Sequence, residues 1–183
     1  LLFVGRIARE KGLGMLLEAF ARVHQQRPNA HLLLVGTGPF EQEARALARR
    51  LGLQLAVTFA GAVPHEHIPA YYRAADLFVF SSTTETQGLV LIESMAAGTP
   101  VVAVEAPGAS DVLHGGGLLT QPNSEDLARG ILAALSDGGA RERMVHEAVD
   151  IAREYSVQSA ADRMIAVYER VLEAAGRQNG TVT

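Results

Sequence analysis

A chain of 183 residues is sized for one domain, or one domain with a tail, and its 48% hydrophobic and 20% charged content suits a globular α/β core. A net charge of −4 argues against a nucleic-acid surface, and the 16 Lys and Arg are scattered, with no basic run to serve a membrane signal. There is no cysteine, which excludes disulfides and thiolate metal sites, and no apolar run approaches the length of a membrane span.

The chain opens on Leu1-Leu2-Phe3-Val4-Gly5, already a strand, with no Met and no signal-like leader. The expectation is an excised piece whose N-terminal portion is missing. Leu13, Leu16, Leu17, Phe20 and Val23 then recur at helical spacing and predict a helix from Leu13 to Gln26. A strand from His31 to Val35 precedes a helix that follows Pro39, a good first helical residue, and runs to about Leu51. A third strand covers Val57 to Ala60 and a short helix Ile68 to Ala75. The fourth strand, Leu77 to Phe80, leads into a polar loop and a short Ala-rich helix that Gly98 and Pro100 stop. A fifth strand covers Val101 to Val104, a turn falls near Ala109 to Leu113, and a brief strand takes Gly117 to Leu119. Helices finish the chain: Ser124 to Leu135 with Ser124 as N-cap, Ala140 to about Tyr155, and Ser159 to Ala174. Gly176 to Thr183 reads as a frayed tail, so the domain is taken as residues 1–175.

Near-continuous apolar strands alternating with helices predict an α/β fold, a doubly wound parallel sheet of about six strands covered on both faces. Such sheets bind ligands beyond the C-terminal ends of their strands. Gly5-Arg6, Gly36-Thr37-Gly38, Gly61-Ala62, Ser82 to Gly88 and Ala106-Pro107-Gly108 all fall there.

The loop after the fourth strand carries the chemistry. Glu85 lies before the glycine that opens the helix, and Glu93 lies within it among Ile92, Met95 and Ala96, where an unpaired carboxylate is costly. Three extended residues reach about 10 Å and five helical ones rise about 7.5 Å, so the two carboxylates could flank a ligand the length of a nucleotide diphosphate. Between them lie the N–H groups of Gly88, Leu89 and Val90, at the positive end of the helix. Arg6 and Lys11, on the loop after the first strand, supply a guanidinium and an ammonium suited to a diphosphate; the alternative is solvated surface charge. Glu85 could likewise be a solvated acid, and Glu93 could pair with Arg6.

Other signals are weaker. Gly36-Thr37-Gly38-Pro39 lacks the third glycine of a dinucleotide fingerprint, since residue 41 is Glu41, and the next strand ends without an acid. It reads as a tight turn lining the cleft. His65 and His67 have no partners to complete a metal site and read as surface residues. A glycosidase carboxylate pair fails on context, because hydrolysis needs no cationic diphosphate cradle.

Taken together the residues resemble a family. Glu85 and Glu93 with seven residues between them, enclosing Gly88-Leu89-Val90, look like the signature of family 4 retaining glycosyltransferases, the glycosyl transferases group 1 with the GT-B fold. Gly5-Arg6 with Lys11-Gly12 resembles that family's donor-phosphate loop. Gly36-Thr37-Gly38-Pro39, Ala74 to Val79, Ala96 to Val102, Gly108, Asp111 and Gly116 to Leu119 follow its other landmarks in order, to about residue 172. Departures are Ser81-Ser82, where the family often has Pro-Ser, and Gln87, where it often has Phe. Thr84-Glu85-Thr86-Gln87-Gly88 leans towards diacylglycerol glucosyltransferases.

The resemblance implies the C-terminal, Rossmann-like, nucleotide-sugar-binding half of a GT-B transferase, with the acceptor half absent. Arg6 and Lys11 would neutralise the leaving diphosphate with no obligatory metal or other cofactor, aided by the N–H groups of Gly88 to Val90. Glu93 would accept from the ribose hydroxyls and Glu85 would sit by the donor sugar. Gly5 and Ser82 would also face the donor, and the base would lie near Gly61-Ala62-Val63. Ala161, Met164, Ile165, Tyr168 and Leu172 on the last helix would pack towards the missing half. A cytoplasmic location follows, with a lipid or glycan acceptor and room for peripheral inner-membrane association through that half. The isolated piece is expected to bind nucleotide without transferring sugar. Competing readings are a nucleotide-sugar 2-epimerase and a non-catalytic nucleotide-sugar-binding module.

Overall fold

The structure, a computed structural model, describes residues 1–85 and 87–179, without the side chains of residue 173 and residues 175–179. Among the described residues the elements are β1 (Leu2–Val4), α1 (Leu13–Gln26), β2 (Leu32–Val35), α2 (Glu41–Arg50), β3 (Val57–Gly61), α3 (Ile68–Ala74), β4 (Phe78–Phe80), α4 (Leu89–Ala96), β5 (Val101–Val104), α5 (Pro107–Leu113), β6 (Leu118–Thr120), α6 (Ser124–Ser136), α7 (Gly138–Glu154) and α8 (Val157–Asn179). Short 3-10 turns cover Arg9–Lys11 and His65–His67.

The six strands form one parallel sheet in the order β3-β2-β1-β4-β5-β6. Chain order reverses between β1 and β4, which makes that junction the topological switch point of a Rossmann-like fold. Alternation along the strands builds the two faces. Phe3, Leu34, Val79 and Val102 point into one core, under α1, α2 and α6. Leu2, Phe78, Phe80 and Ala103 point into the other, under α3, α4, α5 and α7. The expected stripe of α1 is fully buried in the first core.

Several expected boundaries move for local reasons. Pro39 does not begin a helix: the Phe40 N–H donates to the Ile7 carbonyl (3.0 Å), and α2 starts at Glu41. The turn near Ala109 is a helix, α5, opened by Pro107 at its first position. Asn123, not Ser124, caps α6, its Oδ1 accepting from the Asp126 N–H at 2.9 Å. Helix α8 continues to Asn179, through the start of the expected tail. Residues 180–183 of that tail, and Thr86 of the central loop, lie outside the described residues. Met164, Ile165, Tyr168 and Leu172 of α8 are exposed. No described helix is long and apolar enough to cross a membrane.

Candidate functional site at the sheet switch point

The loops after β1 and β4 leave the sheet side by side at the switch point and are tied together by their backbones. The Gly5 N–H donates to the Val35 carbonyl (3.0 Å) and the Ile7 N–H to the Thr37 carbonyl (2.9 Å), so the Gly36-Thr37-Gly38 turn buttresses the first loop. Buried Ile7 and Ala8 anchor that loop from below. From the β4 side, the Ser81 hydroxyl donates to the Lys11 carbonyl at 2.8 Å. The Ser82 and Thr84 hydroxyls lie 3.5 and 3.4 Å from the Glu10 carbonyl. Gly12 is required here: its φ is 68°, and a Cβ would stand 2.1 Å from the Ser81 carbonyl oxygen.

This scaffold brings Lys11 and Glu85, 74 residues apart in sequence, into direct contact. Lys11 Nζ donates to Glu85 Oε2 at 2.6 Å, and each side chain is only 22% exposed. Glu85 is therefore neither a solvated loop acid nor remote from the cationic loop. Arg6 is on the same loop but pairs with Glu10, where both side chains are exposed. Such a surface pair contributes under about 1 kcal/mol, so the guanidinium is readily drawn to a stronger anion. Arg9 pairs with Glu43 and lies over the Phe40 ring.

Next to the Lys11–Glu85 pair, α4 begins. Its N-cap is Gly88, held at φ 61°, and among the described residues no side chain caps it. The first-turn N–H groups of Leu89 and Val90 have no intrahelical acceptor, and the helix dipole makes this end attractive to anions. One turn further, Glu93 faces α3 rather than Arg6. Its Oε2 accepts from the Tyr72 hydroxyl at 3.0 Å. Glu93 and Tyr72 border a cavity of about 260 Å³ together with His65, Ile68, Pro69, Arg73, Ala96 and Ala97. β3 ends at Gly61, followed by Ala62 and Val63 at the same edge, where the Gly61 carbonyl accepts from the Gly36 N–H at 2.8 Å.

The expected residues thus separate by role in the fold. Lys11, Glu85 and the Gly88–Val90 helix start converge; Glu93 lies one helical turn away; Arg6 is adjacent with its charge on Glu10. Ser82 is fully buried and serves the loop tie. Tyr72 was not visible as a site residue, because it lies 21 positions from Glu93 on a different helix, within an unremarkable apolar pattern. Two larger cavities, each about 650 Å³, sit at the opposite edge. One includes His31 and Asp76 and the other Gly98 and Arg141. They lie at the N-terminal ends of the strands, which is the wrong end for ligand binding in a parallel sheet.

Residues 1–150 match the profile of Glycosyl transferases group 1. The chain belongs to this family. An uncharacterized glycosyltransferase of Methanocaldococcus jannaschii is 34% identical over 181 residues, covering 97% of this chain and 46% of that protein. Alpha-monoglucosyldiacylglycerol synthase of Streptococcus pneumoniae is 38% identical over 138 residues, covering 74% of this chain and 31% of that protein. Among solved structures, Anabaena HepE in complex with UDP superposes with a TM-score of 0.83 at 30% identity, over 92% of this chain and 48% of that one. The same protein has also been solved in complex with UDP-glucose. The six-stranded sheet and its helices are the Rossmann-like C-terminal half of the family's GT-B fold. The chain spans about half the length, or less, of the relatives it matches.

Proposed function

We propose that this chain is the donor-binding domain of a retaining, family 4 glycosyltransferase, which moves a sugar from a nucleoside-diphosphate sugar to an acceptor hydroxyl. The observation that carries the reading is the Lys11–Glu85 pair beside the start of α4, at the β1/β4 switch point. A diphosphate fits this place because a partly buried ammonium and a helix N-terminus both face it. UDP and UDP-glucose bound to HepE support the ligand class.

In this reading Lys11, joined by Arg6, neutralises charge as the diphosphate leaves, the task a divalent cation performs in other transferases, and no metal is required. The N–H groups of Leu89 and Val90 add to that stabilisation. Glu85, released from Lys11 by the incoming phosphates, accepts hydrogen bonds from the donor sugar and holds negative charge near the anomeric carbon. Glu93 accepts from the ribose hydroxyls, and the base lies by Gly61 to Val63. Residues 1–175 form the donor domain. The acceptor half lies outside this chain, and the exposed apolar residues of α8 pack towards it. The likeness to the alpha-monoglucosyldiacylglycerol synthase of Streptococcus pneumoniae and the wording of Thr84 to Gly88 favour a lipid acceptor. In this reading the whole enzyme works in the cytoplasm, at the inner face of the membrane.

A thermal-shift panel of UDP-, GDP- and ADP-sugars in EDTA tests the proposal. Binding only to the native state at one hundred times Kd stabilises it by about 2.7 kcal/mol, a clear rise in Tm. A rise with one nucleotide class in EDTA is expected. No rise with any of them, or a rise that appears only on adding Mg²⁺, overturns the metal-free donor site.

A further inference from the structure

We infer that Tyr72 is a positioning residue for the donor site: its hydroxyl fixes the bearing of the Glu93 carboxylate, so that the remaining oxygen is presented ready to a vicinal diol. The inference rests on the ribose role proposed for Glu93 and adds to it the group that sets the carboxylate's direction.

Tyr72 is itself held from three sides. The residue is 1% exposed and its ring packs edge-on against Phe78, with centroids 5.3 Å apart. Its backbone carbonyl accepts from the Thr99 hydroxyl at 2.7 Å. Its hydroxyl donates to Glu93 Oε2 at 3.0 Å. Burial and the adjacent Glu93 push the phenol far above its ordinary range, so it stays a protonated donor at every working pH. A carboxylate offers about four lone-pair sites on two oxygens. Tyr72 occupies one of them on Oε2, and among the described residues no donor occupies Oε1. A glutamate in water samples many rotamers, and a ligand that must order it loses affinity for doing so. Here the protein orders it before any ligand arrives.

The geometry also separates this role from simple packing. The ring fills the core between α3 and the sheet, whereas the hydroxyl reaches the one carboxylate on the inward side of α4. Tyr72→Phe therefore keeps the packing and removes the positioning bond.

The test is calorimetric titration of UDP and 2′,3′-dideoxy-UDP against the wild-type chain, Tyr72→Phe, Glu93→Gln and the double variant, with Tm recorded for each. The wild type is expected to prefer UDP, and Glu93→Gln to lose most of that preference. Tyr72→Phe is expected to bind UDP about three- to tenfold more weakly while its affinity for the dideoxy probe is unchanged. The double variant should show no further loss beyond Glu93→Gln. If Glu93→Gln erases the preference but Tyr72→Phe leaves it intact, or weakens both probes equally, the positioning role is overturned and the ribose reading survives. If the wild type shows no preference, or Glu93→Gln keeps it, the ribose reading fails and the inference fails with it.

Discussion

Replacing Glu85 by Gln should tighten the binding of UDP while impairing sugar transfer by the whole enzyme. The Lys11 ammonium is engaged by Glu85 at 2.6 Å, so a diphosphate must compete for it. The Coulomb attraction of two unit charges 4 Å apart is about 4 kcal/mol at an effective dielectric constant of 20. Desolvation offsets much of this, and charge-assisted hydrogen bonds contribute a net of about 1.5–3 kcal/mol. With each side chain still 22% exposed, solvent screening brings the value to about 1–2 kcal/mol. Removing the competing carboxylate should therefore strengthen UDP binding by about 5- to 30-fold. Loss of a negative charge facing the phosphates acts in the same direction. Titration of UDP against the wild type, Glu85→Gln, and Glu43→Gln as an exposed ion-pair control measures it. The gain should vanish in the Lys11→Ala background. Unchanged or weaker UDP binding by Glu85→Gln would refute the competition and remove Lys11 from the phosphate site.

Lys11→Ala should weaken UDP much more than uridine, since its charge meets phosphate and not base or ribose; equal losses in parallel titrations would place Lys11 elsewhere. Gly88→Ala should lower Tm, because the αL conformation at φ 61° costs a residue with a Cβ about 1–2 kcal/mol. The added carbon also meets Leu91 at 3.1 Å and the Gly108 carbonyl at 3.2 Å. For a chain of this size that is a loss of about 2–8 °C by calorimetry, and an unchanged Tm would mean that the turn relaxes. The isolated chain should fold cooperatively, with two complete cores on one sheet, yet transfer no sugar to a lipid or glycan panel from radiolabelled donor. Proximity of acceptor to donor can supply about 7–11 kcal/mol of the barrier, and on the proposed function this chain would offer one wall of a cleft. Transfer at the rate of the whole enzyme would show the other half to be dispensable.

Where one local signal dominates, the chain could be read directly. The bounds of α1 and β5 follow from an unbroken apolar stripe and an unbroken apolar run. Boundaries slipped where tertiary hydrogen bonds compete with local preference, as at Phe40, whose N–H is claimed by Ile7 across the cleft loop. The site was legible as a set of residue types on loops at one sheet edge, because parallel topology sends every strand end there. Its pairings were not. Lys11 with Glu85, and Tyr72 with Glu93, join residues 74 and 21 positions apart, and spacing alone does not say which acid meets which donor. Arg6 pairs with a local acid four residues on, Glu10, and not with Glu93, the partner the alternative reading allowed.

The site divides into parts that are fixed and parts that can change partners. Backbone ties from Gly5 and Ile7 to the β2 loop, and the Ser81 hydroxyl on the Lys11 carbonyl, set where the loops lie without using a charged group. The charged side chains are then paired with one another: Lys11 with Glu85 and Arg6 with Glu10. A nucleotide sugar carries both complements, an anion for the cations and hydroxyls for the acids. On the proposed function its arrival would exchange these pairs. Affinity in such a site comes from the difference between two sets of ionic contacts, each partly solvated, and not from the gross attraction of phosphate to lysine. On the proposed function a neutral substitution on the acidic side should therefore raise affinity for the diphosphate alone, while the intact pair should favour the ligand that satisfies both partners, the sugar-bearing donor.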